Sequence, residues 1–402
     1  MIRMIVAAVV AVWVALCSAL AQDLTALARL DPQSSFIGDA GQGIAVSLAL
    51  SQPVPWRLRV LETPPRLVLD VREVDWTGIA DVPSTSLRVT DLRAGVFRPG
   101  WSRLVLELNG PFLVDQAEMR TADGAARLVL RLEPASPDDF AAKAAIPEPK
   151  DWAPPQAADL PTPERRGDGP TVVVLDPGHG GIDPGAEREG LTEADLMLTF
   201  ARELKETLLR AGDFTVVLTR NEDVFVPLET RISIARAAGA TMFLSLHADA
   251  LAEGEAVGAT LYTLAADASD AAAATLAERH DRDDLLSGVD LTGQGDLVAE
   301  VLMDMARTET LPRTQLLAET LRMAMESAGL KLHRIPLQQA GFSVLKSPEI
   351  PSVLIELGFL SSPGDLARLR DPDWRARMAQ AIVAGLQSWS VADAAQQQLR
   401  RQ

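Results

Sequence analysis

The stretch that indicates the fold most clearly spans residues 171–186 and reads TVVVLDPGHGGIDPGA. An apolar run typical of a buried strand leads directly into a glycine-rich turn that carries one histidine, His179. Two later apolar runs end in the same way, one at His247 and one at Glu356. Strand-like and helical segments alternate around them, which predicts an α/β domain with an open mixed or parallel sheet and helices on both faces.

The predicted elements of this domain follow from the change of hydrophobic period along the chain. A period near two or a short apolar run predicts a strand, and apolar residues three or four apart predict a helix. We expect strands at 171–176, 214–219, 241–247, 259–264, 341–345 and 352–356, and helices at 193–211, 229–238 and 374–389.

The sequence before this domain has a different pattern. Residues 23–133 alternate with a period of two and contain three similar hexapeptides, RLVLDV, RLVLEL and RLVLRL, which predict an all-β sandwich. Residues 134–170 contain nine prolines, and we expect a linker there that packs neither as helix nor as sheet. Residues 391–402 form a polar tail, of which residues 394–402 are expected to fray.

Residues 1–21 have the features of a secretory signal peptide. Arg3 supplies the positive start, an apolar run follows, and Ala19-Leu20-Ala21 is a small-residue cleavage site. A membrane anchor is the alternative, but the run is shorter than the roughly 18 residues that a span needs. Lipidation of Cys17 is disfavoured because the bulky Leu16 precedes it. We therefore expect an exported protein with no membrane span after signal removal.

Composition excludes several classes of function. The chain has 402 residues, of which 47% are apolar, and a formal net charge of −17, which disfavours nonspecific binding to nucleic acid or anionic lipid. Cys17 is the only cysteine, which excludes disulfide scaffolds and cysteine-ligated metal sites. A histidine-based site must draw on four histidines, and the polar sequence around His280 and His333 predicts that these two lie at the surface.

The remaining histidines suggest a metal site. The carboxyl ends of strands in an open α/β sheet share one edge, so His179, His247 and Glu356 are expected there, with Glu193 opening the next helix nearby. Two imidazoles and one carboxylate are a ligand set for catalytic zinc, and a second carboxylate could act as general base and acid. Taken singly, each histidine could be a hydrogen-bonded loop residue, and Glu193 could complement the helix dipole. A phosphate-binding loop is disfavoured, since the Lys-Ser/Thr of a P-loop is missing.

Several motifs resemble one known family. The segments TVVVLDPGHGGIDPGA, FLSLHADA, AGFSVL and IELGFLS resemble, in this order, the zinc-dependent N-acetylmuramoyl-L-alanine amidases of the periplasmic cell-division type over residues 171–390. The β-rich region resembles, more weakly, their AMIN-type cell-wall targeting domain. The resemblance implies that His179, Glu193 and His247 hold Zn²⁺ and that Glu356 is the catalytic carboxylate. Three positions, Arg236, Asp249 and Ser362, depart from the asparagine that is common in the family.

A long segment separates His247 from Glu356 and is expected to include an inserted helical part at about 288–312. Residues 295–307 predict an amphipathic helix with Glu300 and Asp304 on its polar face, followed by a second helix at about 313–328. An extra packing helix is the alternative. The resemblance implies a regulatory helix that blocks the zinc until a LytM-domain activator displaces it, with Glu300 or Asp304 as the acidic plug.

The function that the resemblance implies is hydrolysis of the amide between N-acetylmuramic acid and L-alanine in peptidoglycan, in the periplasm, during daughter-cell separation. Two other classes stay open at this stage. One is an inactive protein that binds peptidoglycan or an activator, and the other is a zinc peptidase that acts on wall peptides.

Overall fold

The structure is a computed structural model that describes residues 27–98, 100–122, 124–146, 171–250, 257–265, 267–287 and 297–400. The predicted signal peptide and most of the predicted linker lie outside these residues and stay predictions. Among the helices of the described ranges, none is both long and apolar enough to cross a lipid bilayer.

The described N-terminal residues form two antiparallel-rich sheets that pack face to face. One sheet has the strand order β5-β1-β2-β9-β8 and the other β3-β4-β7-β6. Their facing side chains form one apolar cluster, which confirms the predicted all-β region. The strands are β1 (Ala28–Ala40), β2 (Gly43–Leu50), β3 (Trp56–Leu61), β4 (Arg66–Arg72), β5 (Val74–Asp75), β6 (Val89–Arg98), β7 (Trp101–Leu108), β8 (Phe112–Ala122) and β9 (Ala125–Pro134).

The three similar hexapeptides are the central parts of β4, β7 and β9. Strands β4 and β7 are neighbours, and their register places Leu67 opposite Leu106 and Leu69 opposite Leu104. Strand β9 lies in the other sheet, beside β2 and β8. The repeat therefore supplies strands to both layers of the sandwich.

Part of the predicted linker is helical, so the expectation that residues 134–170 exclude a helix is wrong at its start. Helix α1 (Pro137–Ala144) begins after Ser136, whose hydroxyl accepts a hydrogen bond from the Asp139 amide. Proline is tolerated in a first helical turn because its missing N–H would have no partner there. Phe140 packs into the sandwich core and fixes the helix against it.

The C-terminal region is the predicted α/β domain. Its six-stranded sheet has the order β13-β10-β14-β17-β15-β16 and is mixed, since β15 runs antiparallel to β17. The elements are β10 (Thr171–Pro177), β11 (Glu187–Arg188), β12 (Leu191–Thr192), α2 (Glu193–Ala211), β13 (Phe214–Leu218), α3 (Leu228–Ala237), β14 (Met242–His247), β15 (Ala259–Leu264), α4 (Ala271–Leu286), α5 (Leu297–Ser327), β16 (Leu332–Ala340), β17 (Ser352–Glu356), α6 (Pro363–Arg370) and α7 (Pro372–Arg400).

Helices cover both faces of this sheet, as predicted. Side chains of α2, α5 and α7 pack on one face in a cluster that includes Val173 and Leu175 of β10. Side chains of α3 and α4 pack on the other face, in a second cluster that includes Val174. The alternation along β10 explains why an unbroken apolar run was required, because both faces of the strand are buried.

Two predicted elements differ from the structure. The strand expected at 341–345 lies earlier, at β16, and Ser343–Leu345 form a 3-10 turn. The two helices expected at 295–307 and 313–328 are one continuous helix, α5, with Pro312 inside it. A proline in a helix interior costs about 3 kcal/mol, and burial of the following residues in the sheet-face core offsets it.

The closing helix is also longer than predicted. Helix α7 continues through most of the tail expected to fray, as far as Arg400. Asp393, in this extension, is buried and accepts two hydrogen bonds from Arg313 of α5, at 2.7 and 2.8 Å. A polar tail that gains such an ion pair can continue as a helix.

A buried carboxylate lies at the end of β10, where the polar residues gather. The carboxylate of Asp176 accepts hydrogen bonds from Thr219 (2.5 Å), Ser245 (2.7 Å) and the Arg231 guanidinium (2.8 Å). Burial raises the pKa of Asp176, but Arg231 and the two hydroxyls outweigh it, so that the pKa lies below its ordinary value of 3.8. The stabilisation is thus complete above that value and is lost as the pH falls below it.

We predict that Asp176→Asn lowers the free energy of unfolding by about 3 kcal/mol, because Arg231 would keep a buried charge without its carboxylate. Urea denaturation at neutral pH measures the change. Asp213→Asn, at an exposed carboxylate, is the matched control and should change stability by less than about 0.5 kcal/mol. If the two variants were equally stable, the proposed contribution of the Asp176–Arg231 pair to the free energy of unfolding would be wrong.

Candidate metal centre

His179 lies in the turn that follows β10, and two arginines hold the backbone of this turn. Its φ angle is 57°, a left-handed conformation that is costly for a residue with a Cβ. Arg231 donates to the carbonyl oxygens of Pro177 and His179, both at 2.9 Å. Arg220 donates to the carbonyls of Pro177 and Gly178, at 2.9 and 2.8 Å. The strained turn is therefore fixed by buried hydrogen bonds on its carbonyl side.

Glu193 is the first residue of α2 and is fully buried. Its Oε1 lies 3.2 Å from Nε2 of His179 and 3.1 Å from Nδ1 of His247. The same oxygen accepts a hydrogen bond from the Ala248 amide at 2.8 Å. One carboxylate oxygen thus lies between the two predicted imidazoles.

His247 and Glu356 end two neighbouring parallel strands, β14 and β17, and they are paired in register. The convergence predicted from the strand ends is therefore present. Gly178 makes room for the His247 ring, because a Cβ at Gly178 would lie 2.2 Å from Cε1 of that ring. A glycine is required there by close packing against the imidazole.

Two of the donor–donor distances among His179, Glu193 and His247 match those around a tetrahedral metal ion. Bonds of 2.0–2.2 Å at tetrahedral angles place ligand atoms roughly 3.3 Å apart, close to the two distances at Glu193 Oε1. The buried Nε2 of His179 has no hydrogen-bond partner among the described residues. An orphaned nitrogen beside a carboxylate oxygen is the arrangement that a shared cation would satisfy.

Burial and charge set the pKa values of these groups. Burial lowers the pKa of His179, but Asp183 and Glu193 outweigh it and the pKa is raised well above its ordinary value. Burial raises the pKa of Glu193, but His179 and His247 outweigh it and the pKa is well lowered. Burial and the nearby His280 lower the pKa of His247 to about 4. The arrangement favours an ionised Glu193 and a neutral His247, the forms in which they bind metal. Without a metal His179 is favoured as a cation between its two carboxylates, so it must lose a proton to bind one.

Asp183 is a site residue that the sequence interpretation missed. Its Oδ2 lies 2.7 Å from Nδ1 of His179, and its Oδ1 accepts from the Gly185 amide. A carboxylate on the second nitrogen orients a ligating imidazole and fixes its tautomer. Asp183 lies four residues after His179 in the quoted motif, and this spacing within a tight turn was the available signal.

Glu356 is the last residue of β17 and is fully buried. Its Oε2 accepts a hydrogen bond from the Asp249 amide at 3.0 Å, and its Oε1 has no partner within the described ranges. Burial, together with Glu193 and Asp249, raises the pKa of Glu356 well above its ordinary value. A carboxyl group with a raised pKa and a free oxygen is suited to accept and return a proton.

His280 is not at the surface, and its predicted exposure is wrong. It lies on α4, is buried, and its ring centroid is 4.3 Å from that of His247 and 5.6 Å from that of His179. One ring nitrogen from each of the three histidines lies within 4.8 Å of the others. The available signal was the buried face Ala273, Leu276, Ala277 and His280, whose spacing is helical. His333, by contrast, is partly exposed on β16.

Glu300 and Asp304, the two predicted plug residues, lie on α5, but their side chains are outside the part of the chain that the structure describes, as are residues 288–296. Their role stays a prediction. A cavity of about 340 Å³ leads to the centre, and it is lined by His179, Gly185, Ala186, Asp249, Ala250, Arg279, Asp283 and Arg93.

Comparison with known proteins shows the family to which the chain belongs. Residues 173–388 match the sequence family described as N-acetylmuramoyl-L-alanine amidase. The amidase AmiC of Neisseria meningitidis serogroup B is 34% identical over 348 residues, 82% of this chain and 82% of that protein. The AmiC of Escherichia coli O6:H1 is 31% identical over 359 residues, 86% of each chain, and the AmiA of Escherichia coli K12 is 38% identical over 227 residues, 56% of this chain and 78% of that protein. The chain therefore belongs to the N-acetylmuramoyl-L-alanine amidase family.

Proposed function

We propose that this protein hydrolyses the amide between N-acetylmuramic acid and the L-alanine of the stem peptide in peptidoglycan, with Zn²⁺ held by His179, Glu193 and His247. The observation that carries the proposal is the position of Glu193 Oε1, 3.2 and 3.1 Å from one nitrogen of each imidazole. Membership of the amidase family supports the choice of bond.

The mechanism assigns the proton transfers to Glu356. When bound, the metal supplies Lewis acidity, which polarises the scissile carbonyl and lowers the pKa of the attacking water. Glu356 takes one proton from that water as its oxygen adds to the carbonyl carbon. The same residue then donates this proton to the nitrogen of L-alanine as the carbon–nitrogen bond breaks. The products are a peptide-free lactyl carboxylate on the sugar and a stem peptide with a free amine.

Two groups prepare Glu356 and His179 for these roles. The Asp249 amide holds Oε2 of Glu356 and leaves Oε1 free to meet the water. The Asp183 carboxylate holds Nδ1 of His179, so Nε2 is the nitrogen that faces Glu193. Each contact fixes one side chain by its non-reacting atom.

The cellular setting is part of the same proposal. We propose that residues 1–21 direct export, that the enzyme acts in the periplasm during daughter-cell separation, and that the N-terminal β domain is an AMIN-like wall-targeting module. The match to two AmiC proteins over more than four fifths of the chain supports a shared domain organisation, since a match of that length must extend beyond the catalytic domain into the β domain.

We also propose that the enzyme is held inactive until a LytM-domain activator acts on it. Helix α4 supports this, because it places His280 beside both metal-site histidines and Arg279 against Asp249, at 2.7 Å. The cover would then comprise α4 and the following segment at about 288–312, in which Glu300 and Asp304 are the candidate plugs.

The first prediction concerns the bond that is cut. Digestion of purified peptidoglycan with the unaltered enzyme and its activator should release free stem peptides and leave peptide-free glycan, as identified by mass spectrometry. Glu356→Gln should reduce this release about 10³-fold, because the proton acceptor is lost, while zinc stays bound. Glu206→Gln, at an exposed glutamate of α2, is the control and should keep full activity. Shortened peptides that remain on the sugar would identify the protein as a peptidase instead. Peptidoglycan that is not digested at all would identify it as a binding protein.

The second prediction concerns the metal. The unaltered protein should contain about one zinc per chain by elemental mass spectrometry, and His179→Ala should lower that content at least about ten-fold. His333→Ala, at the partly exposed histidine of β16, should leave the content unchanged. Full zinc content in His179→Ala would show that another group of residues holds the ion.

The third prediction concerns the cover. Deletion of residues 288–312 should increase peptide release in the absence of activator by about ten-fold or more, because it removes part of the proposed cover and both candidate plugs. Thermal unfolding must show that the deletion variant is folded. Unchanged or lower activity in a folded variant would rule out autoinhibition by this segment.

A further inference from the structure

The N-terminal β domain packs against the loop that carries His179. The Ile182 amide donates to the Val96 carbonyl of β6 at 3.1 Å, and the Phe97 and Phe225 rings stack with centroids 5.9 Å apart. Gly95 lies so close to the loop that a Cβ there would be 2.6 Å from the Gly181 carbonyl oxygen. Backbone-to-backbone contact of this kind fixes the distance between the two domains at the metal-site loop.

An apolar cluster joins the two domains at this contact. Leu61, Val68 and Val105 lie on the outer face of the β3-β4-β7-β6 sheet, and they are buried by Ile182 and Phe225 of the catalytic domain. The opposite face of the same sheet is buried in the sandwich. This accounts for the unbroken Leu-Val-Leu runs of β4 and β7, because a sheet covered on both sides has no polar face.

Two arginines of the β domain extend from this contact to helix α4. Arg93 donates to Oδ1 of Asp283 at 2.9 Å, and its guanidinium also lies 3.7 Å from Oδ1 of Asp183. Arg103 is buried, is held by Asp70 at 2.6 Å, and donates to the Ser287 carbonyl at 3.2 Å. Both contacts fall at the carboxyl-terminal end of α4, where the helix dipole favours cations.

Asp183, Asp283 and His179 are close enough to form a second cation site. Arg93 supplies the positive charge there, because its guanidinium lies beside both carboxylates. The Asp183 carboxylate is in turn the group that orients His179. A side chain of the β domain therefore takes part in the wall of the catalytic cavity.

We propose that the β domain closes the metal centre: Arg93 is a positioning residue that, with Arg103, holds α4 across the cavity, and displacement of the β domain releases the helix. The inference rests on the proposed function in taking α4 as the cover of a catalytic site. On the other side of α4, Ala273, Leu276 and Ala277 hold its first two turns in the apolar cluster on the sheet face. The Arg279–Asp249 pair, with 38% of the Arg279 side chain accessible, adds little, so the β-domain contacts act on the carboxyl-terminal part of the helix. Binding of a partner to the β domain would thus change the position of α4 at the active site.

Hydrogen exchange of the full-length protein, measured by mass spectrometry, tests the inference. Arg93→Ala should increase exchange of the amides of residues 271–287 about ten-fold, because α4 would open locally more often. Arg93→Lys keeps the charge and should return exchange to within about three-fold of the unaltered protein. Arg131→Ala, at an exposed ion pair of the same domain, is the matched control and should leave α4 unchanged.

A second pair of variants tests the docking itself. Gly95→Ala introduces a Cβ that meets the Gly181 backbone, and it should also increase α4 exchange about ten-fold. In Gly110→Ala the added Cβ meets only the Phe112 ring, at 3.8 Å, and exchange should not change. Unaltered α4 exchange in both Arg93→Ala and Gly95→Ala, with both variants folded by thermal unfolding, would overturn the inference.

The exchange measurement needs neither metal nor substrate. If peptidoglycan is not digested but hydrogen exchange of α4 increases in Arg93→Ala, the proposed function is wrong. The inference that the β domain holds α4 would then still be supported. If digestion proceeds as proposed and α4 exchange does not respond, the inference alone is wrong.

Discussion

The guanidinium of Arg231 joins one buried carboxylate to the backbone that carries the candidate metal ligands. It contacts Asp176 at the end of β10 and the carbonyls of Pro177 and His179 in the next turn. A polar cluster of this kind is stable in the interior only when every member has a partner. The strained position of His179, and through it the distance to Glu193, depends on that pair.

The charged groups around the candidate metal centre form a second set of interactions on which the site depends. Six carboxylates lie near three imidazoles, those of Asp176, Asp183, Glu193, Asp249, Asp283 and Glu356. The cations that balance them come from different elements. Arg231 belongs to α3, Arg279 to α4 and Arg93 to the β domain. Burying so many acidic groups is favourable only when each one is paired or bound to a cation. The site is therefore complete only when all these elements are packed together.

The β domain has a structural role in addition to the proposed targeting role. Its β3-β4-β7-β6 sheet buries one face in its own core and the other against Ile182 and Phe225. Arg93 and Arg103 leave that second contact towards α4. Any event that moves the sheet would alter the surroundings of α4 and of the loop that carries His179, because both depend on one continuous interface.

The sequence alone determined the two fold classes and the meeting of His179, His247 and Glu356, because hydrophobic period and strand-end position are local properties. The same local signals misjudged the linker helix α1, the continuity of α5 through Pro312 and the length of α7, where contacts distant in the chain offset a weak local preference. Only the tertiary structure decided that His280 is buried beside His247 and that Arg93 meets Asp283. These contacts join residues from separate elements and separate domains, and no spacing along the chain encodes how those elements pack.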